Sequence, residues 1–156
     1  MKKFILFISL LVSLGLTAQE IPDAGVEDMS GNKLNFKDLI NTDKPIIVSF
    51  WATWCVPCIN ELDAISEVYP DWQEETGVKL IAISRDDERT AKRIKALVNG
   101  RAWEYEIYRD YNDDLKRAFN IASIPYMIII NNGKIVATRS GYTPGSEDEI
   151  YELITE

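Results

Sequence analysis

The sequence contains no histidine and only two cysteines among its 156 residues. These cysteines, Cys55 and Cys58, form a single C-x-x-C motif. A structural zinc site needs four ligands, and a haem-attachment motif needs a histidine directly after the second cysteine, where this chain has Ile59. A copper site of cysteine and histidine ligands fails for the same lack of histidine. We therefore predict neither a metal ion nor a cofactor.

A hydrophobic run long enough to cross a membrane is also missing. The apolar run Phe4–Leu16 has 13 residues, whereas a spanning helix needs roughly 20. It follows the basic start Met1–Lys3 and ends near small residues that suit a cleavage site. We predict that residues 1–18 are a secretory signal peptide and that residues 19–156 form the mature domain. An uncleaved N-terminal membrane anchor is the alternative.

Basic residues are fewer than acidic ones. The chain has 17 Lys and Arg against 25 Asp and Glu, a formal net charge of −8. Cleavage after residue 18 would remove Lys2 and Lys3 but no acid, and would take the charge from −8 to −10. Such a surface repels phosphate backbones, so nucleic acid is not an expected partner. The length fits one domain.

The apolar periodicity predicts strands and helices that alternate after an N-terminal hairpin. The predicted strands are Val26–Met29, Lys33–Phe36, Ile46–Trp51, Val78–Ser84, Tyr105–Tyr108, Ile124–Ile130 and Lys134–Thr138. The predicted helices are the turn Phe36–Leu39, Cys55–Thr76, a helix through Ala91–Val98, Leu115–Phe119 and Ser146–Ile154. The alternation favours an α/β fold with a largely parallel sheet, covered on both faces and finished by an antiparallel hairpin.

Several polar residues are predicted to begin or cap helices. The charged turn Arg85–Arg89 suits a solvated helix start better than a binding patch. Asp113 or Asp114 can cap the short helix that follows. Ser146 and Glu149, three residues apart, have the spacing of a capping box.

The C-x-x-C motif lies where a buried strand gives way to a helix. The amides and partial positive charge of a helix N-terminus stabilise a thiolate, so Cys55 should titrate below an ordinary thiol. Cys58 lies on the same helix face and can reach the first sulfur. Cys55 would attack a target disulfide and Cys58 would resolve the mixed disulfide. A purely structural bridge is disfavoured because so short a span closes too small a loop to stabilise a fold.

The string F-W-A-T-W-C-V-P-C over 50–58 resembles the active site of thioredoxin-fold proteins. The N-terminal hairpin, an extra helix and strand around residues 90–108, and the predicted signal peptide resemble the TlpA/ResA-type branch of exported thiol–disulfide oxidoreductases. The resemblance covers nearly all of residues 20–154. It implies a thioredoxin-like three-layer α/β/α sandwich, with a mixed central sheet of four or five strands and the dithiol at a helix tip.

The same resemblance assigns roles around the dithiol. Pro125 matches the cis-proline of the family; the alternative is an ordinary trans proline that starts an edge strand. If the resemblance holds, the backbone of Ile124 would pair with an extended substrate segment. The substrate-binding residues are Trp54, Val56, Pro57, Ile124 and Pro125. Trp51 and Trp54 either shield the dithiol or belong to the core.

A carboxylate is the third catalytic candidate. Glu61 follows Cys58 by three residues, and in the ResA-like branch a glutamate at this spacing tunes the dithiol. By resemblance, Glu61 would accept and return the proton of Cys58; the alternative is a surface glutamate on the helix. Ser49 stands where cytosolic thioredoxins carry a buried aspartate, which strengthens the case for Glu61. Tyr126 stands where many relatives have threonine, which leaves substrate preference open.

The resemblance implies an extracytoplasmic, for instance periplasmic, reductase of disulfides in exported proteins, with apocytochrome c cysteines as candidate substrates and a membrane thiol reductase as electron donor. Val56 and Pro57 favour reduction, because strong oxidants of this fold usually carry histidine between the cysteines. The alternatives are a disulfide oxidase or isomerase and a non-catalytic thioredoxin-fold binding module. A peroxidase is disfavoured because the P-x-x-x-T-x-x-C pattern is absent around both cysteines.

Overall fold

The structure is a computed structural model that describes residues 20–101 and 103–156. The predicted signal peptide, residues 1–18, lies outside the described residues. Within the described part of the chain, no helix combines the length and the apolar character needed to cross a membrane.

The chain opens with the predicted hairpin. Strand β1 (Gly25–Asp28) pairs antiparallel with β2 (Lys33–Asn35). Helix α1 (Phe36–Leu39) follows as one turn, and the side chain of Asn35 caps it by accepting a hydrogen bond from the backbone N–H of Lys37. This segment confirms the hairpin and the helical turn expected from the sequence.

The central unit is a strand, a long helix and a second strand. Strand β3 (Ile46–Trp51) is buried along its whole length, as its continuous apolar sequence predicts. Helix α2 (Val56–Thr76) ends at Gly77, which adopts φ 70° and donates its N–H to the carbonyl of Gln73. A left-handed φ at a helix end favours glycine. Strand β4 (Lys79–Ser84) follows directly.

The second half continues the alternation and closes with a hairpin and a helix. Its elements are α3 (Ala91–Asn99), β5 (Glu106–Arg109), α4 (Asp114–Ala118), β6 (Tyr126–Asn131), β7 (Lys134–Ser140) and α5 (Glu147–Thr155). Asn132 and Gly133 form the β6–β7 turn with φ 50° and 71°. Positive φ at both turn residues is what a two-residue hairpin requires, so the predicted hairpin is confirmed.

The seven strands of the described residues form one mixed sheet in the order β2-β1-β5-β4-β3-β6-β7. Only the β3–β4 and β4–β5 pairs are parallel, and the other four pairs are antiparallel. The prediction of a mixed sheet is confirmed. The predictions of a largely parallel sheet and of four or five strands are wrong. The N-terminal hairpin extends the sheet through β5, and β6 runs antiparallel to β3.

Helices cover both faces of the sheet. Helices α2, α3 and α5 pack on one face, in a cluster that includes Leu62, Ile94 and Ile150 together with both cysteines. Helices α1 and α4 pack on the other face, where Phe36 and Leu115 are buried. The predicted three-layer α/β/α sandwich is confirmed, and the dithiol belongs to the first of its two cores.

The start of α4 corrects a predicted cap. Asp113 occupies the N-cap position with φ 58°, but its side chain makes no capping hydrogen bond. Asp110 replaces it, because its carboxylate accepts from the backbone N–H groups of Leu115 at 3.2 Å and Lys116 at 2.9 Å. Asp110 is buried, and burial raises the pKa of its carboxyl while these amides oppose the rise.

The capping box predicted at α5 does not form. Ser146 is the N-cap residue, yet its side chain accepts no capping hydrogen bond. Glu149 instead forms an ion pair with Arg139 of β7, with 2.7 Å between Oε2 and Nη1. The carboxylate therefore links α5 to the sheet rather than to its own helix terminus.

Candidate active site

The two cysteines are joined by a disulfide at the start of α2. Cys55 is the N-cap residue, in an extended conformation, and Cys58 lies in the first turn at a Cα–Cα distance of 5.3 Å. Pro57 occupies the first turn, where its missing N–H costs no helix bond, and that turn contains no acid. Cys55 is 6% exposed whereas Cys58 is fully buried, so an approaching disulfide meets Cys55 first.

A buried carboxylate fixes the turn that precedes Cys55. The parallel register aligns Trp51 with Ser84, so the loops after β3 and β4 lie side by side. Asp86 accepts hydrogen bonds from the Thr53 N–H at 2.9 Å, the Thr53 hydroxyl at 2.6 Å and the Ser84 hydroxyl at 2.7 Å. These bonds connect the end of β4 to the loop that leads into the dithiol.

The charged segment 85–89 therefore differs from its prediction as a solvated helix start. Asp86 is only 2% exposed, and α3 begins later, at Ala91. The side chain of Asp87 accepts from the N–H groups of Arg89 and Thr90 and so closes the turn locally. Arg85 turns back toward α4, where it forms an ion pair with Asp113.

Glu61 is buried on α2, one turn beyond Cys58. Its side chain is 3% exposed, and Ser49 on β3 donates a hydrogen bond to Glu61 Oε2 at 3.1 Å. Burial raises the pKa of Glu61 from its ordinary 4.5 to about 7, against the opposing effects of the Ser49 bond and the charge of Arg139. The alternative of a surface glutamate is wrong. Ser49, at the position of the thioredoxin aspartate, contacts this acid directly.

The two tryptophans of the motif have different environments. Trp51 is fully buried and packs edge-on against Trp103, with ring centroids 5.3 Å apart. Trp54 is 60% exposed and Val56 is 65% exposed. Trp51 therefore belongs to the core, while Trp54 and Val56 form an apolar rim beside Cys55.

The loop before β6 lies against the same site. The register pairs Phe50 at the end of β3 with Tyr126 at the start of β6. The Ile124–Pro125 peptide bond is cis, and the carbonyl of Pro125 accepts from the Gly141 N–H at 2.9 Å. Ile124 packs against the cluster that contains both cysteines. The strand ends thus bring this loop to the dithiol.

Sequence reasoning missed the contribution of Asp86 and Thr53. The available signal was topological, because loops that follow two adjacent parallel strands meet at the same sheet edge. Thr53 lies in one such loop and Asp86 in the other. Among residues 20–101 and 103–156, no group of three or more His, Cys, Asp or Glu side chains has the arrangement of a metal site.

A mixed sheet between helical layers, with a C-x-x-C disulfide at a helix N-terminus, defines a thioredoxin-like protein. The chain belongs to the AhpC/TSA family, which it matches over residues 17–139. It is 31% identical over 119 residues to the thiol-disulfide oxidoreductase ResA of Bacillus thuringiensis, covering 76% of this chain. The match spans 66% of the length of that relative. The resemblance to ResA-type proteins is thereby confirmed.

Solved structures show the same fold. A thioredoxin-like protein from Porphyromonas gingivalis is 46% identical, with a TM-score of 0.76 over 90% of this chain and 95% of the other. A thiol:disulfide interchange protein from Chlorobium tepidum has a TM-score of 0.69 over 88% of this chain and 94% of the other, at 22% identity. The second likeness concerns the fold alone.

Proposed function

We propose that this protein is a thiol–disulfide oxidoreductase that reduces disulfides of other proteins through Cys55 and Cys58. The observation that carries the proposal is the disulfide at the α2 N-terminus with only Cys55 reaching solvent. The partial positive charge of the helix N-terminus stabilises the thiolate form of Cys55. The first turn of α2 contains no acid that would oppose this effect.

The reaction proceeds by two exchanges. The Cys55 thiolate attacks one sulfur of the substrate disulfide, forms a mixed disulfide and releases the other substrate sulfur as a thiolate. The Cys58 thiolate then attacks the Cys55 sulfur, forms the internal bridge and releases the second substrate thiolate. The substrate gains two electrons and two protons, and the protein becomes oxidised. A dithiol donor must then reduce the bridge before the next cycle.

Glu61 is the proton carrier in this proposal. Cys58 must lose its proton to attack, and the buried carboxyl one turn away has a pKa of about 7. An acid with a pKa near the working pH can both accept and return a proton. Ser49 holds the carboxyl through its hydrogen bond and so acts as a positioning residue.

Substrate contact is proposed for the exposed rim and the proline loop. Trp54 and Val56 present apolar surface next to Cys55, and Pro57 sets the backbone of the first turn. Ile124 and Pro125 lie directly before the start of β6, where an extended segment can add its backbone to the loop.

We propose that the reaction takes place outside the cytoplasm. The basic start, the short apolar run and the small residues of 1–18 support a signal peptide, with an uncleaved anchor as the alternative. The substrates would be exported proteins with disulfides, apocytochrome c among the candidates, and a membrane thiol reductase would return electrons to Cys55 and Cys58.

The reduction potential of the dithiol tests the direction of electron flow. We expect a reduction potential closer to that of a reductant, about −270 mV, than to that of a strong oxidant, about −120 mV. A histidine between the cysteines would stabilise the reduced form, and this chain has Val56 and Pro57 there instead. Equilibration with glutathione or dithiothreitol buffers, read by mass after thiol alkylation, gives the value. A potential near −120 mV would instead support the disulfide oxidase or isomerase.

A further inference from the structure

A cleft opens beside the dithiol, between the rim and the loop before β6. It has a volume of about 310 Å³ and is lined by Trp54, Arg85, Lys116, Ala122, Ser123 and Ile124. That volume is at the lower end of the roughly 300–1,000 Å³ of ligand pockets, which suits one or two side chains of a bound segment. Trp54 precedes Cys55, so the cleft continues the surface that a substrate disulfide must approach.

The polar lining of the cleft carries positive charge in an acidic protein. The chain has a net charge of −8, yet the charged side chains of the cleft are Arg85 and Lys116, with no acid among them. Arg85 is partly neutralised by Asp113, 2.9 Å from its Nη2. The Lys116 ammonium makes no ion pair with any residue that the structure describes.

The acids close to Lys116 in sequence are already engaged. Asp114 pairs with Arg117 on the same helix, and the buried carboxylate of Asp110 accepts hydrogen bonds from the α4 amides. Within the described part of the chain, the ammonium is therefore a cation without a counter-ion, at the edge of a cleft whose lining also includes the apolar side chains of Trp54, Ala122 and Ile124. The Lys116 ammonium would attract a carboxylate that enters the cleft and would repel a positively charged side chain.

We propose that this cleft is a specificity subsite that binds an acidic side chain of the substrate, close in sequence to the cysteine that Cys55 attacks. The inference rests on the proposed function, since the cleft matters only if a substrate segment docks at Cys55 and Ile124. The substrates are then polypeptides with Asp or Glu flanking their reactive disulfide. The subsite selects them through Lys116, with Arg85 and the indole of Trp54 completing its walls.

Three disulfide-linked peptides, identical except for Glu, Gln or Lys next to the cysteine, test the subsite. The reduced protein should reduce the Glu peptide about two- to fivefold faster than the Gln peptide, as expected for a partly exposed charge pair. The Lys peptide should react more slowly than the Gln peptide. The differences should shrink at high salt, because salt screens exposed charges. The measurement is the second-order rate of thiol release from each peptide.

Charge-matched variants separate the subsite from the general charge of the protein. Lys116→Glu should abolish or reverse the Glu-over-Gln preference. Lys134→Glu, which makes the same charge change in the β6–β7 hairpin at the other end of β6, should retain it. The Gln peptide reports any general loss of activity, so the ratio of rates is independent of folding yield.

Equal rates for the three peptides, or an unchanged preference in Lys116→Glu, would overturn the subsite while the reductase function stands. An equal loss of preference in both variants would also overturn it, because the preference would then come from overall charge. If no peptide is reduced at all, the proposed function fails and the subsite fails with it.

Discussion

Replacing Cys55 with serine is expected to abolish disulfide reduction, lowering the rate of the first thiol release by about 10³-fold or more. A serine hydroxyl stays protonated at neutral pH, so the helix N-terminus has no thiolate to stabilise. The expected effect is this large because Cys55 is the sulfur that reaches solvent, while Cys58 is fully buried. Release of one thiol from a disulfide peptide, followed within a single turnover, measures it.

The matched control for this variant is Cys58→Ser. Both variants lack the Cys55–Cys58 bridge, so any stability that the bridge provides is lost equally from each. The Cys58→Ser variant should keep the first thiol release near the wild-type rate and stop at the mixed disulfide. Equal first-step rates in the two variants would show that Cys55 is not the nucleophile.

Replacing Glu61 with glutamine is expected to remove a pH dependence of stability. The pKa of Glu61 is about 7 in the fold against an ordinary 4.5, so the folded state binds this proton more tightly than the unfolded state does. The contribution of Glu61 to the free energy of unfolding is therefore fully present below pH 4.5 and is lost as the pH rises through 7. At 1.36 kcal/mol per pH unit, the loss amounts to about 3 kcal/mol.

Denaturant unfolding of the oxidised protein between about pH 4 and pH 8 measures this effect, because thiols do not titrate while the bridge is intact. Across this range the free energy of unfolding of wild type should fall, relative to that of Glu61→Gln, by about 3 kcal/mol. Glu67→Gln, on the exposed face of the same helix, makes the same charge change and should follow wild type. Identical curves for wild type and Glu61→Gln would remove Glu61 as the titrating group.

The same Glu61→Gln variant should change the titration of the reduced dithiol and slow substrate release. The introduced glutamine amide could neither accept nor return the proton of Cys58, so the second exchange would depend on solvent. Thiol alkylation rates against pH, together with the rate of the second thiol release, measure this. Unchanged values for both would leave Glu61 a role in stability alone.

Local patterns in the sequence predict most elements of this fold. The apolar run Ile46–Trp51 and the helical periodicity beyond Cys55 give β3 and α2 almost to the residue. Strand direction is a different matter, because it depends on which strands become neighbours. The pairing of β1 with β5 joins residues far apart in the chain, such as Glu27 and Arg109, and no local pattern records it.

The residues of the candidate site likewise differ in how well the sequence predicts them. Cys55 and Cys58 can be recognised from the sequence, because the C-x-x-C spacing falls where a strand gives way to a helix and the chain has no histidine to complete a metal or haem site. The hydrogen bond to the buried Glu61 comes from Ser49 of another element, and the bonds that hold the motif loop come from Asp86, beyond β4. Charged residues such as Asp86 resemble surface positions in a sequence, because their buried hydrogen-bond partners lie far away along the chain.

The fate of a mixed disulfide tests the central claim most directly. Reduced Cys58→Ser is mixed with a disulfide-linked peptide, and the mass of the protein is then measured with and without dithiothreitol. The account predicts one peptide attached to Cys55 and released by dithiothreitol, with no adduct on Cys55→Ser. The absence of an adduct on Cys58→Ser, while a maleimide still labels Cys55, would contradict it and favour a non-catalytic binding module.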